Sequence, residues 1–387
     1  MDKYSQYLDA FISSPIEENM YNLCSYLLHT PFNKLQIVEL TKRLACSGIK
    51  LHFDTNLTAD IPSTGGPSSL STIIGPLLLK ENYIVPKLGI VGRPAGGIDV
   101  LSQIEGYNIK LSSQAIYSIL EKTNYCHFIS NNEYAPLDSI LFKYRSENNF
   151  KNISSLVISS LLSKKIAVGV KNICLDVRYS DFGNFGKSLL DAQKLSIDFK
   201  SVADVLGICC EFYFSDNNIL MQPYIGRGES LLAILEYING NANIWLTSHI
   251  QDCKKMAEKV LKKNIKDEKL RDIISRNFVE NIKIQGGSYD SFVKVAEKIR
   301  WSHIHEIRAQ TNGKLYINIE RLRNLIVDIQ KKHISADNEF PDPCGIIFYK
   351  NQSDYVLKED LILTYRALKK DIELFQNSLN KIIKVNN

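Results

Sequence analysis

The chain has 387 residues, enough at roughly 150 per domain for two or three domains and a well-buried core. Its 44% hydrophobic and 23% charged residues are the balance of an ordinary soluble globular protein, which excludes wholesale disorder and collagen-like or coiled-coil repetition. Forty-seven Lys and Arg against 42 Asp and Glu leave +5, too dilute to mark a nucleic-acid or anionic-membrane surface, so neither is an expected partner.

The first residues, Met1-Asp2-Lys3-Tyr4-Ser5-Gln6, lack the charged-then-apolar layout of a secretory signal. No apolar run approaches the roughly 20 residues of a membrane helix, and Ile73–Leu79 is interrupted by Gly75-Pro76. Eight scattered cysteines without a Cys-x-x-Cys pair argue against a disulfide framework or a structural zinc site. The expected location is the cytoplasm, with reduced thiols.

The first 55 residues read as helical, with Leu23, Leu27 and Leu28 on one face and a second stretch through Leu35, Val38, Leu40 and Leu44. That stretch ends at Ser47-Gly48, where glycine can adopt a left-handed cap. A Thr-Gly-Gly-Pro segment at 63–67 gives way to an apolar helix over Leu70–Leu79. A strand over Tyr83–Val91, the breaker-rich Gly92–Gly97 and a helix over Ile98–Ile104 come next. The apolar helix Ile153–Lys165 runs into predicted strands at Ile166–Val170, Ile173–Val177 and Leu206–Phe214. Helices follow at 228–239, 251–263 and 266–276. Pro341–Gly345 opens a last unit with strands at Gly345–Tyr349 and Leu361–Thr364 and an amphipathic helix from Ala367 to Ile383. Strands alternating with helices predict an α/β fold.

The most chemical segment is Asp60-Ile61-Pro62-Ser63-Thr64-Gly65-Gly66-Pro67-Ser68-Ser69-Leu70-Ser71-Thr72. Two glycines let a ligand approach the backbone, and the hydroxyl-rich run opens a helix whose free amides carry partial positive charge, which suits an anion such as phosphate. Gly92–Gly97 also precedes a helix. Taken singly, each loop is equally well read as a tight strand-to-helix turn capped by Ser or Asp99.

Together with the rest of the chain the loops resemble the pyrimidine nucleoside phosphorylase family, part of a wider group with anthranilate phosphoribosyltransferase. Ser63-Thr64-Gly65-Gly66 and Pro94-Ala95-Gly96-Gly97-Ile98-Asp99 carry the likeness. So do Arg145, Ser160–Lys165, Leu175-Asp176-Val177-Arg178, Ile284–Gly287, Asp342–Ile347 and Tyr355–Asp360, in the family's order. The resemblance implies a small helical domain (1–58, with 143–165 packing into it), a larger α/β domain with a mixed sheet (59–142 and 166–335) and a C-terminal α+β unit (336–387). It implies phosphorolysis in the cleft between the first two, in a homodimer, with inorganic phosphate as co-substrate and no other cofactor or metal. Arg145, Ser160 and Lys164 match the base-binding pattern. Arg145 and Lys164 would also stabilise negative charge on the departing pyrimidine. Ser63, Thr64, Gly65, Gly66 and Ser71 match the phosphate side.

Departures from the pattern fall on that phosphate side. Where the family has Lys-His-Ser-Thr-Gly-Gly, this chain has Ile61-Pro62-Ser63-Thr64-Gly65-Gly66, and Pro94-Ala95 replaces His-Thr in the second loop. Arg93 is a candidate to restore the lost positive charge, with a fork suited to phosphate. The rival readings are another acceptor, water or a phosphorylated sugar, and a nucleoside-binding protein without catalysis. Weaker features are His303 and His305 as a two-ligand metal face without a third ligand, Cys126-His127 as a thiol nucleophile without a legible partner, and a substrate-proximal loop at Asp181–Phe185.

Overall fold

In a computed structural model of the chain, residues 2–386 are described, apart from 68, 131, 132 and 184. Asp2 caps the first helix, Lys3–Ser13 (α1), by accepting from the Ser5 amide, and Tyr4, Leu8 and Phe11 form its buried face. Glu17–His29 (α2) and Lys34–Ala45 (α3) complete a helical unit. The buried face of α2 is Met20, Leu23, Cys24 and Leu27, while Leu28 and, on α3, Leu35 face solvent. Adjacent residues lie about 100° apart on a helix, so Leu27 and Leu28 do not share one narrow stripe. Gly48 is also not the expected left-handed cap. A Cβ there would stand 2.0 Å from the Glu133 carbonyl oxygen and 2.6 Å from Pro136 Cδ, so close backbone approach is what requires glycine.

Five parallel strands form the central layer: β1 (Ala59–Asp60), β2 (Val85–Gly89), β3 (Tyr125–Ile129), β4 (Asn172–Tyr179) and β5 (Cys209–Asp216). Their order is β3-β2-β1-β4-β5, with β1 and β2 joined by a parallel bridge between Thr58 and Ile84. Between them come α4 (Ser71–Leu79), α5 (Gly97–Leu101), α6 (Ser113–Thr123), α7 (Pro136–Glu147) and α8 (Ser154–Ala167). The expected strand at Ile166–Val170 does not form. The amides of Val168, Gly169 and Val170 bond back to the carbonyls of Lys164, Ile166 and Lys165, and Gly169 at φ +68° turns the chain out of α8. The apolar run there belongs to a buried helix end, which periodicity alone cannot tell from a buried strand.

α8 joins two cores. Leu156 packs with Tyr4, Leu8, Leu23, Leu40, Leu141 and Tyr144 in the helical unit, while Val157, Ile158 and Leu162 pack beneath the sheet with Leu175 and Val177. A third core gathers Leu315, Ile317, Leu322 and Ile326 with Cys344, Ile346, Leu363 and Phe375. Residues 305–332 thus pack with the C-terminal unit, earlier in the chain than the expected start at 336. His305–Arg308 pairs with Leu361–Ala367, and Gly313–Ile317 pairs with Ile383–Asn386, all antiparallel. The final helix stops at Ile382, short of the expected Ile383, because the alternating Ile383-Lys384-Val385 suits a strand edge.

Strand order reverses between β1 and β4. In open α/β sheets that switch point, beyond the carboxyl ends of the strands, is where ligands bind.

Candidate active site

At the switch point the chain leaves β1 into the Ser63–Gly66 loop, which is laid along β4. Thr64 N donates to Asp176 O at 3.1 Å, and Arg178 N donates to Thr64 Oγ1 at 2.9 Å. Gly65 and Gly66 have φ of +127° and +115°, and a Cβ on Gly66 would meet Asn217 Oδ1 at 2.5 Å and the Arg178 guanidinium at 2.8 Å. The second glycine loop, leaving β2, faces the first. The two enclose a cavity of about 150 Å³ lined by Ser63, Thr64, Gly65 and Gly66, by Arg93–Ile98, and by Lys87, His127, Lys164, Lys165, Arg178 and Arg323. Among the described residues no Asp or Glu lines it.

The cations are held from behind by buried carboxylates. Lys87 on β2 donates to Asp60 Oδ1 at 2.6 Å and to the Ile61 carbonyl at 2.7 Å, and Lys165 on α8 pairs with the other Asp60 oxygen. Burial alone would raise the Asp60 carboxyl, but the two ammoniums hold it down to about 2. Burial, with the charge of Lys165 added, brings Lys87 down to about 8 against the pull of Asp60. Arg178 is paired with Asp176 at 2.5 Å, and burial pushes His127 well below the ordinary imidazole range, so it stands on the wall as a neutral ring.

Lys164 and Ser160 come together one helical turn apart on α8. Ser160 Oγ donates to Asp138 Oδ2 at 3.1 Å. Lys164 pairs with the same oxygen and reaches Ser160 O and Oγ at 3.2 and 3.1 Å. Arg145 on α7 does not reach the cavity wall. It is buried with its Nε lacking a partner, its guanidinium carbon 5.1 Å from the Phe142 ring centre. Arg93 and Lys164 meet the same ring at 5.5 and 5.9 Å, so cations from three parts of the fold converge on one aromatic ring.

Ser71 does not face the cavity. Its hydroxyl donates to Asp176 Oδ2 at 2.7 Å and accepts from Arg178 at 3.1 Å, while Ser69 and Thr72 line the wall instead. Ser68 and Asn184 lie outside the described residues. Of the expected loop at Asp181–Phe185, Phe182 and Gly183 line a smaller adjoining cavity, and Phe185 is in the core. His303 caps the end of a helix and bonds Glu229 at 3.0 Å, whereas His305 starts a strand and stacks on Tyr365, so they do not form the expected two-histidine strand face. Cys126 is buried on the side of β3 away from His127, in the core, where burial pushes its thiol up and a thiolate nucleophile does not form.

Sequence reasoning passed over Lys87 and Asp138, named Asp60 and Lys165 only within longer motifs, and took up His127 only as a neighbour of Cys126. The signal for Lys87 and His127 was a single polar residue inside an otherwise apolar strand. For Asp138 there was none, because its role depends on the packing of α7 on α8.

No protein-family model matches the chain. The chain is 24% identical to a thymidine phosphorylase of Mycoplasma pneumoniae, over 89% of this chain and 86% of that one. It is 23% identical to a pyrimidine-nucleoside phosphorylase of Staphylococcus haemolyticus (94% and 87%) and 25% identical to a thymidine phosphorylase of Mycoplasmoides pirum (94% and 91%). In three dimensions it is similar to anthranilate phosphoribosyltransferase from Thermus thermophilus, with a TM-score of 0.54 at 11% identity, over 78% of this chain and 96% of that one. The likeness to thymidine and pyrimidine-nucleoside phosphorylases thus extends over most of the chain, and the α/β fold is similar to that of the anthranilate phosphoribosyltransferase.

Proposed function

We propose that the chain is a pentosyltransferase that cleaves the N-glycosidic bond of a pyrimidine nucleoside with inorganic phosphate, giving free base and pentose 1-phosphate. The observation that carries this reading is the carboxylate-free, cation-walled cavity at the switch point, with the Ser63–Gly66 loop on one side and Lys164 on the other. The names of the relatives support it.

In this reading Lys87 replaces the ammonium that Ile61 lacks. Its Nζ reaches the Ile61 carbonyl itself, so the charge arrives at the same stretch of backbone from the neighbouring strand. Lys87, Arg93 and the loop hydroxyls of Ser63 and Thr64 attract phosphate. One phosphate oxygen bonds the anomeric carbon as the carbon–nitrogen bond breaks, and the phosphate proton ends on the departing ring nitrogen. Negative charge growing on the base is met by Lys164, which Asp138 and Ser160 hold in place, whereas Arg145 stays off the cavity wall. No cofactor is invoked. The eight free cysteines fit a cytoplasmic enzyme, and the exposed Ile16, Tyr21, Leu28 and Leu35 fit a second copy packed on the helical unit.

The test is incubation with thymidine or uridine, with and without phosphate, and identification of products. Phosphate-dependent release of base with pentose 1-phosphate is expected. Base with free pentose would point to water as acceptor, and binding without product to a non-catalytic role.

A further inference from the structure

Next to the main cavity lies a second of about 60 Å³, lined by Thr64, Gly65, Gly66, Arg93, Phe142, Lys151, Arg178, Phe182, Gly183, Asn217 and Arg323. A water needs roughly 10–15 Å³ on this scale, so the space admits a group of several heavy atoms. The two cavities share the glycine loop, Arg93, Arg178 and Arg323.

The second cavity is unusual in its charges. Lys87, Lys164, Lys165 and Arg178 each have a carboxylate within ion-pair distance. Arg93, Lys151 and Arg323 make no such pair among the described residues, although all three are partly buried and line this one space. They come from separate parts of the fold: the loop after β2, the turn before α8, and the helix Ile319–Lys332 of the C-terminal unit. After burial, the strongest influence on both Arg93 and Lys151 is the charge of Arg323, which lowers them. The carboxylates whose charge is felt there are Asp99 at Arg93 and Glu320 at Lys151 and Arg323, but neither lines the cavity. Like charges drawn together without a counter-ion are held at a cost that a bound anion removes. On the same wall Asn217 Oδ1 is buried and has no donor.

We infer that this second cavity binds a phosphate monoester carried on the pentose of the substrate, so that the preferred substrate is a pyrimidine nucleoside monophosphate. This rests on the reaction proposed above. The Arg93, Lys151 and Arg323 side chains take the ester oxygens, and a pentose hydroxyl supplies the donor that Asn217 Oδ1 lacks. The bonds made and broken are those of the nucleoside reaction, and the products are free base and a pentose bisphosphate.

The experiment compares thymidine with thymidine 5′-monophosphate, and uridine with uridine 5′-monophosphate, for base release in phosphate and for equilibrium binding by calorimetry. The monophosphates are expected to have at least tenfold higher kcat/KM. Lys151→Ala and Lys151→Gln, at the cation that lines only the second cavity, should each lower that value about 10- to 150-fold while changing turnover of the unphosphorylated nucleosides less than about twofold. Equal use of both substrates, with variants that do not discriminate, overturns the subsite and leaves the reaction intact. Lys151-dependent binding of the monophosphates without base release keeps the subsite and overturns the reaction. Failure of the monophosphates to bind, or Lys151-dependent turnover of unphosphorylated nucleoside with pyrophosphate in place of phosphate, overturns the subsite.

Discussion

The helical wall and the sheet wall of the cavity hold their cations in different ways. On the helical wall Ser160 and Lys164 are four residues apart on α8, and their anchor Asp138 comes from α7, the preceding helix, 26 residues before Lys164. On the sheet wall Asp60 gathers Lys87 from the next strand and Lys165 from 105 residues away. A site built along one helix keeps its spacing visible in the chain. One built across parallel strands does not, because its members meet only when the sheet forms. The sheet wall can therefore lose its loop lysine and still present an ammonium at Ile61.

Breaking the anchor of the sheet wall should have the largest effect. Asp60→Asn leaves two buried ammoniums without a counter-charge and is expected to destabilise the protein by about 3–5 kcal/mol, seen as a lower midpoint in urea with the same slope. An unchanged midpoint would mean that Lys87 and Lys165 do not depend on Asp60. On the helical wall, Lys164→Ala should lower kcat for the pyrimidine substrate by about 10²–10³. Stability should fall as well, because the buried Asp138 carboxylate loses its counter-charge and keeps only the bond from Ser160.

The relocation of charge is tested by Lys87→Met, which should raise KM for phosphate about 10- to 150-fold and leave KM for the nucleoside near its original value. Adding Ile61→Lys to that variant should recover most of the loss, since it returns the ammonium from the loop side. A loss shared equally by both substrates would assign Lys87 a structural role alone.

The smallest effect is in pH. Lys87 is held at about 8, below an ordinary lysine, so it is charged at neutral pH and loses its proton as pH rises through that value. Between pH 7 and 9, kcat/KM for phosphate should fall about tenfold, although phosphate itself becomes more negative over that range. For stability the sign is opposite. The unfolded chain keeps that proton up to the ordinary lysine range, so this group makes the fold more stable as pH rises above about 8. A flat profile for phosphate would separate Lys87 from the anion.

Much of the architecture was legible from local pattern. Helix and strand alternation and the glycine loops follow from side-chain spacing along one element, and the α8 motif from the family resemblance. The errors came where an apolar run had two uses. Ile166–Val170 reads as a strand until the carbonyls that its amides reach are known, and Gly48 reads as a cap until Glu133 is seen packed against it. The resemblance places Ser71 on the anion, yet Asp176 and Arg178, more than a hundred residues on, take its hydroxyl and leave Ser69 and Thr72 on the wall.

By itself the sequence determined the α/β class, the pair of glycine loops and the Ser160–Lys164 face, because each is a matter of local spacing and backbone freedom. Only the tertiary structure decided where the positive charge lies. Lys87, Arg93, Lys151 and Arg323 are far apart in the chain, and a buried charge takes its role from the neighbours that replace its water, which sheet order and helix packing supply.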